Sequence, residues 1–130
     1  MSEGVPYDQG RHPPAPVVSI KLKRAGAAPA VVVTALVDTG ADISVIPQHI
    51  ARQLRLPFVR RIQVFGVDGS ARSATVNSVE VEIPGFQDLV EAVAFGNEAL
   101  IGRDLLNRWV AHLDGPKGLL RLDAHTSGLK

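Results

Sequence analysis

The feature that most constrains the fold is an apolar run, Val31–Val37, that ends abruptly in Asp38-Thr39-Gly40. The run is short and rich in β-branched residues, which predicts a buried β-strand. A carboxylate at the end of a buried strand has to be hydrogen-bonded, paired or used in chemistry. Asp and Gly are also ordinary turn formers, so a simple turn is the alternative interpretation. We take Asp38 as a candidate catalytic carboxylate and test the rest of the chain against that hypothesis.

The remaining segments predict a mostly β chain, because short alternating or apolar runs are separated by Gly, Pro and Asp turns. Strands are expected at residues 17–23, 31–37, 43–46, 60–67, 70–83, 89–95, 99–101, 110–113 and 119–122. Short helices are expected at residues 47–54 and 103–109. Many short strands with regular turns favour a small closed or sandwich-like barrel.

Length and composition limit the possible functions. The 130 residues suffice for one domain with its own core. The proline-rich residues 1–16 are expected to form a flexible arm, residues 17–123 the domain, and residues 124–130 a C-terminal tail. The absence of cysteine excludes disulfides and thiolate catalysis. A net charge of +1 and 5% aromatic residues argue against nucleic acid as a partner. With no apolar run of about 20 residues and no signal-peptide pattern, we expect a cytoplasmic location and no membrane partner.

Other polar residues give weaker signals. No metal or other cofactor is expected, because the four histidines lack metal-ligand spacing: His12, His49, His112 and His125. A solvated face is favoured over a ligand site for the local basic cluster of Arg52, Arg55, Arg60 and Arg61. A serine triad is unsupported, since Ser44 has no histidine nearby in the sequence.

A second motif lies downstream, where the apolar residues Leu100-Ile101 meet Gly102-Arg103 at the start of a predicted helix. Between the two motifs, Asp68-Gly69 predicts a hairpin turn. With its apolar strand, Asp-Thr-Gly-Ala, hairpin and apolar-apolar-Gly segment in this order, the chain resembles the retropepsin-like aspartic proteases over most of residues 17–122. The resemblance implies an all-β fold, namely a small closed barrel with one or two short helices.

The resemblance also implies an aspartic endopeptidase. Two carboxylates that share one proton can activate a water molecule and protonate the leaving amide, because adjacent like charges cannot both ionise easily. The chain contains Asp-Thr-Gly only once. The active enzyme would therefore be a homodimer, in which each subunit supplies Asp38 to a dyad that acts on a peptide or protein substrate.

The family pattern assigns roles to the matching residues. The catalytic set would be Asp38, Thr39 and Gly40. Residues 65–71, which we call the flap, would close over the substrate. Substrate binding would come from Ala41, Asp42, Phe65, Gly66, Val67, Asp68, Gly69 and Ile101. Structural support would come from Gly102 and Arg103, with Arg103 paired to Asp42. An apolar cleavage preference is expected, from a pocket lined by residues such as Val45, Ile46, Val67 and Ile101.

Two other functions compete with peptide hydrolysis. The same fold can act as a non-catalytic peptide-binding or dimerisation module, since a fold does not fix a function. A small nucleic-acid-binding barrel is disfavoured by the near-neutral charge and the scarce aromatic residues.

Overall fold

The structure is a computed structural model that describes residues 4–124. Its strands are β1 Val5–Pro6, β2 Val17–Lys23, β3 Val31–Val37, β4 Val45–Ile46, β5 Phe58–Phe65, β6 Ala71–Ile83, β7 Phe86–Ala94, β8 Ala99–Ile101, β9 Trp109–Asp114 and β10 Leu119–Ala124. Its helices are α1 Gln48–Gln53 and α2 Arg103–Leu106. Neither helix has the length or the apolarity to cross a bilayer, within the part of the chain that the structure describes.

Six strands form a closed barrel in the order β2-β3-β8-β4-β7-β6, because β6 pairs back onto β2. The strand β5 extends the sheet beyond β6. Most neighbours are antiparallel, but β3 runs parallel to β8, with Val37 beside Ile101. The two sequence motifs therefore end side by side. The predicted all-β barrel with two short helices is confirmed.

Alternation along the strands builds the core. In β2, Val18, Ile20 and Leu22 point inward while Ser19 and Lys21 are exposed, as the two-residue period of a strand requires.

A smaller apolar cluster forms where the β5–β6 hairpin packs over the segment after Asp38. Its members are Ile43, Val45, Ile62, Val64, Ala74, Val76, Val93 and Phe95. This cluster anchors the base of the hairpin that carries the flap.

Two element boundaries differ from the sequence prediction. The helix α2 ends at Leu106 rather than at residue 109, because Trp109 begins β9 and packs edge-on against Phe86 with ring centroids 5.1 Å apart. The strand β7 begins at Phe86, before the predicted residue 89, because Phe86 already pairs with Ile83 across the tight Pro84-Gly85 turn.

The N-terminal segment is more ordered than the flexible arm that we expected. The two-residue strand β1 pairs with β10, and the Tyr7 N–H donates to the Gly118 carbonyl over 2.8 Å. The Pro16 carbonyl accepts a hydrogen bond from the Val37 N–H over 3.0 Å. Residues 4–16 thus connect the last hairpin to the strand that leads to Asp38. Residues 1–3 and 125–130, with His125 and most of the predicted tail, lie outside the described residues.

Candidate active site

The segment 38–42, which we call the Asp38 loop, is fixed to the end of β8. The Asp38 N–H donates to the Ile101 carbonyl over 2.9 Å, and the Ala41 N–H donates to the Asp38 carbonyl over 3.2 Å. Within the loop, Asp38 Oδ1 accepts the Gly40 N–H over 2.9 Å. Asp38 Oδ2 has no hydrogen-bond partner among residues 4–124. The turn therefore uses one carboxylate oxygen and leaves the other free for a water molecule or a second carboxyl group.

Arg103 braces the same loop from α2. Its Nη1 donates to the Thr39 carbonyl over 2.6 Å, its Nη2 pairs with Asp42 Oδ1, and its backbone N–H donates to the Ala41 carbonyl over 2.9 Å. Both charged side chains are largely exposed, so the ion pair itself adds little stability. The contribution of Arg103 is geometric, because two of its three bonds hold backbone carbonyls of the Asp38 loop and the third holds the Asp42 side chain.

Gly102 allows this close approach. A Cβ atom at this position would lie 2.9 Å from the carbonyl carbon of Ile43 and 3.0 Å from the carbonyl oxygen of Ala41. These neighbours are backbone atoms, which cannot swing away as a side chain can. A glycine is therefore required where β8 meets the Asp38 loop.

A buried polar network lies behind the loop, and our sequence prediction did not include it. Ser44, only 4% exposed, donates its hydroxyl to Asp104 Oδ1 over 2.8 Å and its N–H to Asp104 Oδ2 over 3.0 Å. The Ser44 Oγ in turn accepts the Gly102 N–H over 2.9 Å. Every bond joins the segment after Asp38 to the segment after Ile101. The available sequence signal was a serine inside the apolar run 43–46 and an aspartate in the first turn of a helix.

The flap ends in a tight turn held by its own polar groups. The Gly66 N–H donates to the Ser70 carbonyl over 2.9 Å, and Gly69 has a φ of 84°, which favours glycine. Asp68 Oδ1 accepts the Ser70 N–H over 3.0 Å and the Ser70 hydroxyl over 2.7 Å. These two hydrogen bonds lower the pKa of Asp68. Because the folded pKa is depressed, the turn keeps this support at neutral pH and loses it only as the pH falls through that lowered pKa.

The flap exposes apolar side chains and forms no polar contact with the Asp38 loop within the described residues. Phe65 is 69% exposed and Val67 is fully exposed. No hydrogen bond or ion pair within residues 4–124 joins the flap to residues 38–42. In this single subunit, the Asp38 loop, Gly102 and Arg103 come together, whereas the substrate contacts of the flap stay a prediction.

The side chain of Ile101 lies in the core, whereas we expected it to line a substrate pocket. Its side chain is 2% exposed and belongs to the main core, as does Ile46, so neither lines a pocket that a substrate can enter. The alternation of β8 explains this, because Ile101 faces inward while its carbonyl binds the Asp38 N–H. Ile101 therefore positions Asp38 through its backbone.

A further prediction concerned metal ions. Across the described range 4–124, no group of three or more acidic or histidine side chains gathers in a way that would bind a metal ion. Of the histidines in that range, His112 has its Nε2 3.3 Å from Asp123 Oδ2, on the β9–β10 hairpin.

A comparison with protein families identifies a relationship. The family model described as "gag-polyprotein putative aspartyl protease" matches residues 29–108. The match includes the Asp38 loop, the flap and Gly102-Arg103. No curated protein sequence matches the chain.

Solved structures give a consistent picture of the fold. A retropepsin-like aspartic protease from Rickettsia conorii aligns with a TM-score of 0.62 at 18% identity, over 92% of this chain and 90% of its own. The EIAV protease, solved with the inhibitor HBY-793, aligns with a TM-score of 0.57 at 21% identity, over 79% of this chain and 92% of its own. The retroviral protease-like domain of Ddi1 from Leishmania major aligns with a TM-score of 0.52 at 19% identity, over 82% and 88%. At these identities the alignments establish the fold alone.

Proposed function

Because the chain belongs to the family of gag-polyprotein aspartyl proteases, we propose that it is an aspartic endopeptidase that acts as a homodimer. The observation that carries this proposal is the Asp38 loop, in which Oδ1 closes the turn and Oδ2 is left without a partner in the described chain. A carboxylate that is held rigidly but is only half satisfied is suited to bind a reacting water molecule.

The proposed reaction needs two such carboxylates. In a homodimer, one Asp38 is ionised and takes a proton from water, whose oxygen attacks the peptide carbonyl carbon. The Asp38 of the second subunit is protonated and donates its proton to the carbonyl oxygen, which gives a tetrahedral diol. As the C–N bond breaks, the first Asp38 passes the proton that it took from water to the leaving amide nitrogen. One hydroxyl of the diol returns its proton to the second Asp38 as the carboxyl product forms, which restores the dyad. The pair shares one proton and titrates as a unit. No metal or other cofactor is needed for these steps.

We place the contact between subunits at β9. The sheet order β1-β10-β9 leaves β9 on an edge, with Val110 49% and Leu113 51% exposed. The opposite edge strand, β1, has only two residues and includes Pro6, which has no N–H to donate. An edge strand of six residues without proline can pair antiparallel with the same strand of a second copy, which satisfies two-fold symmetry.

A disulfide crosslink tests this placement, because the chain has no cysteine of its own. Two antiparallel copies of β9 place one residue of each copy opposite itself across the two-fold axis. If that residue is one of the two in the middle of β9, Ala111 or His112, its two Cα atoms would be about 4.5–5.5 Å apart, within reach of a disulfide. Ala111→Cys or His112→Cys is therefore expected to give a covalent dimer on a non-reducing gel.

Lys117→Cys, in the turn of the same hairpin, serves as the matched control and is expected to stay monomeric on that gel. If it crosslinks as readily as the β9 variants, the contact does not lie at β9. The homodimeric mechanism itself would be unaffected by that result.

Dilution tests the homodimeric mechanism directly. Specific activity on a peptide library is expected to fall as the protein concentration passes below the dimer dissociation constant, because a monomer holds one carboxylate. Sedimentation measures the dimer fraction at each concentration, and activity should follow it. A constant specific activity from a species of monomeric mass would overturn the proposal.

We further propose that the flap closes over an extended peptide and that apolar side chains are preferred beside the cut. The exposed Phe65 and Val67 support this, since they are available to cover a substrate. The cytoplasmic location expected from the sequence stays a prediction.

A further inference from the structure

A pocket that the proposed reaction does not use lies between the C-terminal end of α1 and the strand β6. It has a volume of about 300 Å³, and its polar border consists of Gln48, Arg52, Arg55, Thr75 and Asn77. The rest of the wall is apolar, and no acidic side chain lines it. The pocket is thus positively charged, in a protein whose net charge is only +1.

The two arginines of this pocket have no counter-ion. Within residues 4–124, the side chains of Arg52 and Arg55 form no ion pair and no hydrogen bond. Arg60, which the sequence groups with them, donates instead to Glu91 over 2.7 Å. The basic cluster that we expected to be a solvated face is therefore divided, and the two unpaired members lie on the wall of one pocket.

The backbone at Arg55 supports a role for its side chain. The helix α1 ends in a Schellman motif, since the Leu56 N–H donates to the Ala51 carbonyl and the Arg55 N–H to the Arg52 carbonyl, both over 3.1 Å. The residue at the left-handed position of this motif is usually glycine. Here it is Arg55, with a φ of 53°. Glycine would make the same turn without steric penalty. The left-handed backbone strain at Arg55 therefore accompanies a guanidinium group that lines the pocket.

The remaining polar groups fit an oxyanion ligand. The Thr75 hydroxyl donates to Asn77 Oδ1 over 2.7 Å, and Asn77 Nδ2 donates to the Leu56 carbonyl over 3.1 Å, which makes this wall rigid. The Gln48 side chain has no partner among the described residues, so its amide N–H groups can donate to a ligand. Planar guanidinium groups bind phosphate oxygens through paired, charge-assisted hydrogen bonds.

We infer that this pocket binds a phosphate group, carried either by a phosphorylated side chain of a protein or by a small phosphorylated molecule. The inference does not depend on the peptidase activity. Inorganic phosphate is the first probe, titrated into the full chain at constant ionic strength while the backbone amide signals are followed by NMR. Saturable shifts are expected at Leu56, Thr75 and Asn77.

Variants distinguish a site from general attraction to a basic surface. Arg52→Gln and Arg55→Gly should each weaken phosphate binding about tenfold or more, because each removes charge-assisted hydrogen bonds. Arg55→Gly should also raise the melting temperature, since it relieves the left-handed strain, so that lost binding cannot be attributed to unfolding. Arg24→Gln removes an equal charge from an arginine that has no ion pair in the described chain, and it should leave binding unchanged.

The source of the phosphate is tested with a phosphoserine peptide and with adenosine monophosphate. Tighter binding of the peptide assigns the group to a protein, and tighter binding of the nucleotide assigns it to a small molecule. A linear, non-saturating titration with inorganic phosphate, wild-type affinity in Arg55→Gly, or an equal loss in Arg24→Gln would overturn the inference.

Discussion

Replacement of Asp38 by asparagine is expected to reduce peptidase activity by about 10³-fold or more, because the variant loses both the general base and the general acid of the dyad. The fold should survive. An asparagine side chain has the same shape as the aspartate, and its carbonyl oxygen can still accept the Gly40 N–H that Asp38 Oδ1 accepts. The measurement is cleavage of a peptide library at equal dimer fraction, with thermal unfolding to verify the fold.

Asp8→Asn is the matched control for this variant. Asp8 also closes a turn, since its Oδ1 accepts the N–H of Gly10, two residues on, over 2.9 Å, but it lies in the N-terminal segment, away from β9 and the Asp38 loop. It should retain wild-type activity. Excess Asp38→Asn protein mixed with wild type should also lower the wild-type activity, because mixed dimers hold one carboxylate. If the variant cleaves peptides as well as wild type, Asp38 is not catalytic, and a non-catalytic peptide-binding or dimerisation module becomes the better interpretation.

The features that the sequence predicted well have local signatures. The strand before Asp38 is a run of β-branched residues, the flap turn contains Asp68-Gly69, and the end of β8 is marked by Gly102. Each follows from a few neighbouring residues. The parallel pairing of Val37 with Ile101, which brings the two motifs together, has no local signature in the sequence.

The features that escaped prediction depend on contacts between distant segments. Ser44 and Asp104 are 60 residues apart, and neither has a local pattern that identifies the other as its partner. The N-terminal segment is predicted to be disordered from its composition, yet its order comes from backbone pairing with β10, which depends little on the side chains of the segment. The inward side chain of Ile101 follows from the pleat of a three-residue strand, too short for alternation to be evident.

Gly102→Ala is expected to have the second-largest effect. The backbone of Gly102 has a φ of −90°, which alanine adopts easily, so the cost is purely steric. The added Cβ would lie 2.9–3.0 Å from backbone atoms of Ile43 and Ala41. To relieve this contact, the Asp38 loop has to move away from β8, which would also stretch the hydrogen bond from the Gly102 N–H to Ser44 Oγ. We expect a loss of about 1–3 kcal/mol in the free energy of unfolding, typical of overpacking.

The loss of activity should exceed what this loss of stability explains, because under the proposed mechanism a displacement of the Asp38 carboxylate by about 1 Å can cost on the order of 10²-fold in rate. Gly115→Ala is the matched control, since a Cβ at Gly115 would meet no atom within 4 Å and its φ is not in the left-handed region. Denaturant unfolding and kcat/KM, both measured at a concentration where the protein is dimeric, separate the two effects. If Gly102→Ala matches Gly115→Ala in both measurements, the contact between β8 and the Asp38 loop does not hold the carboxylate in place.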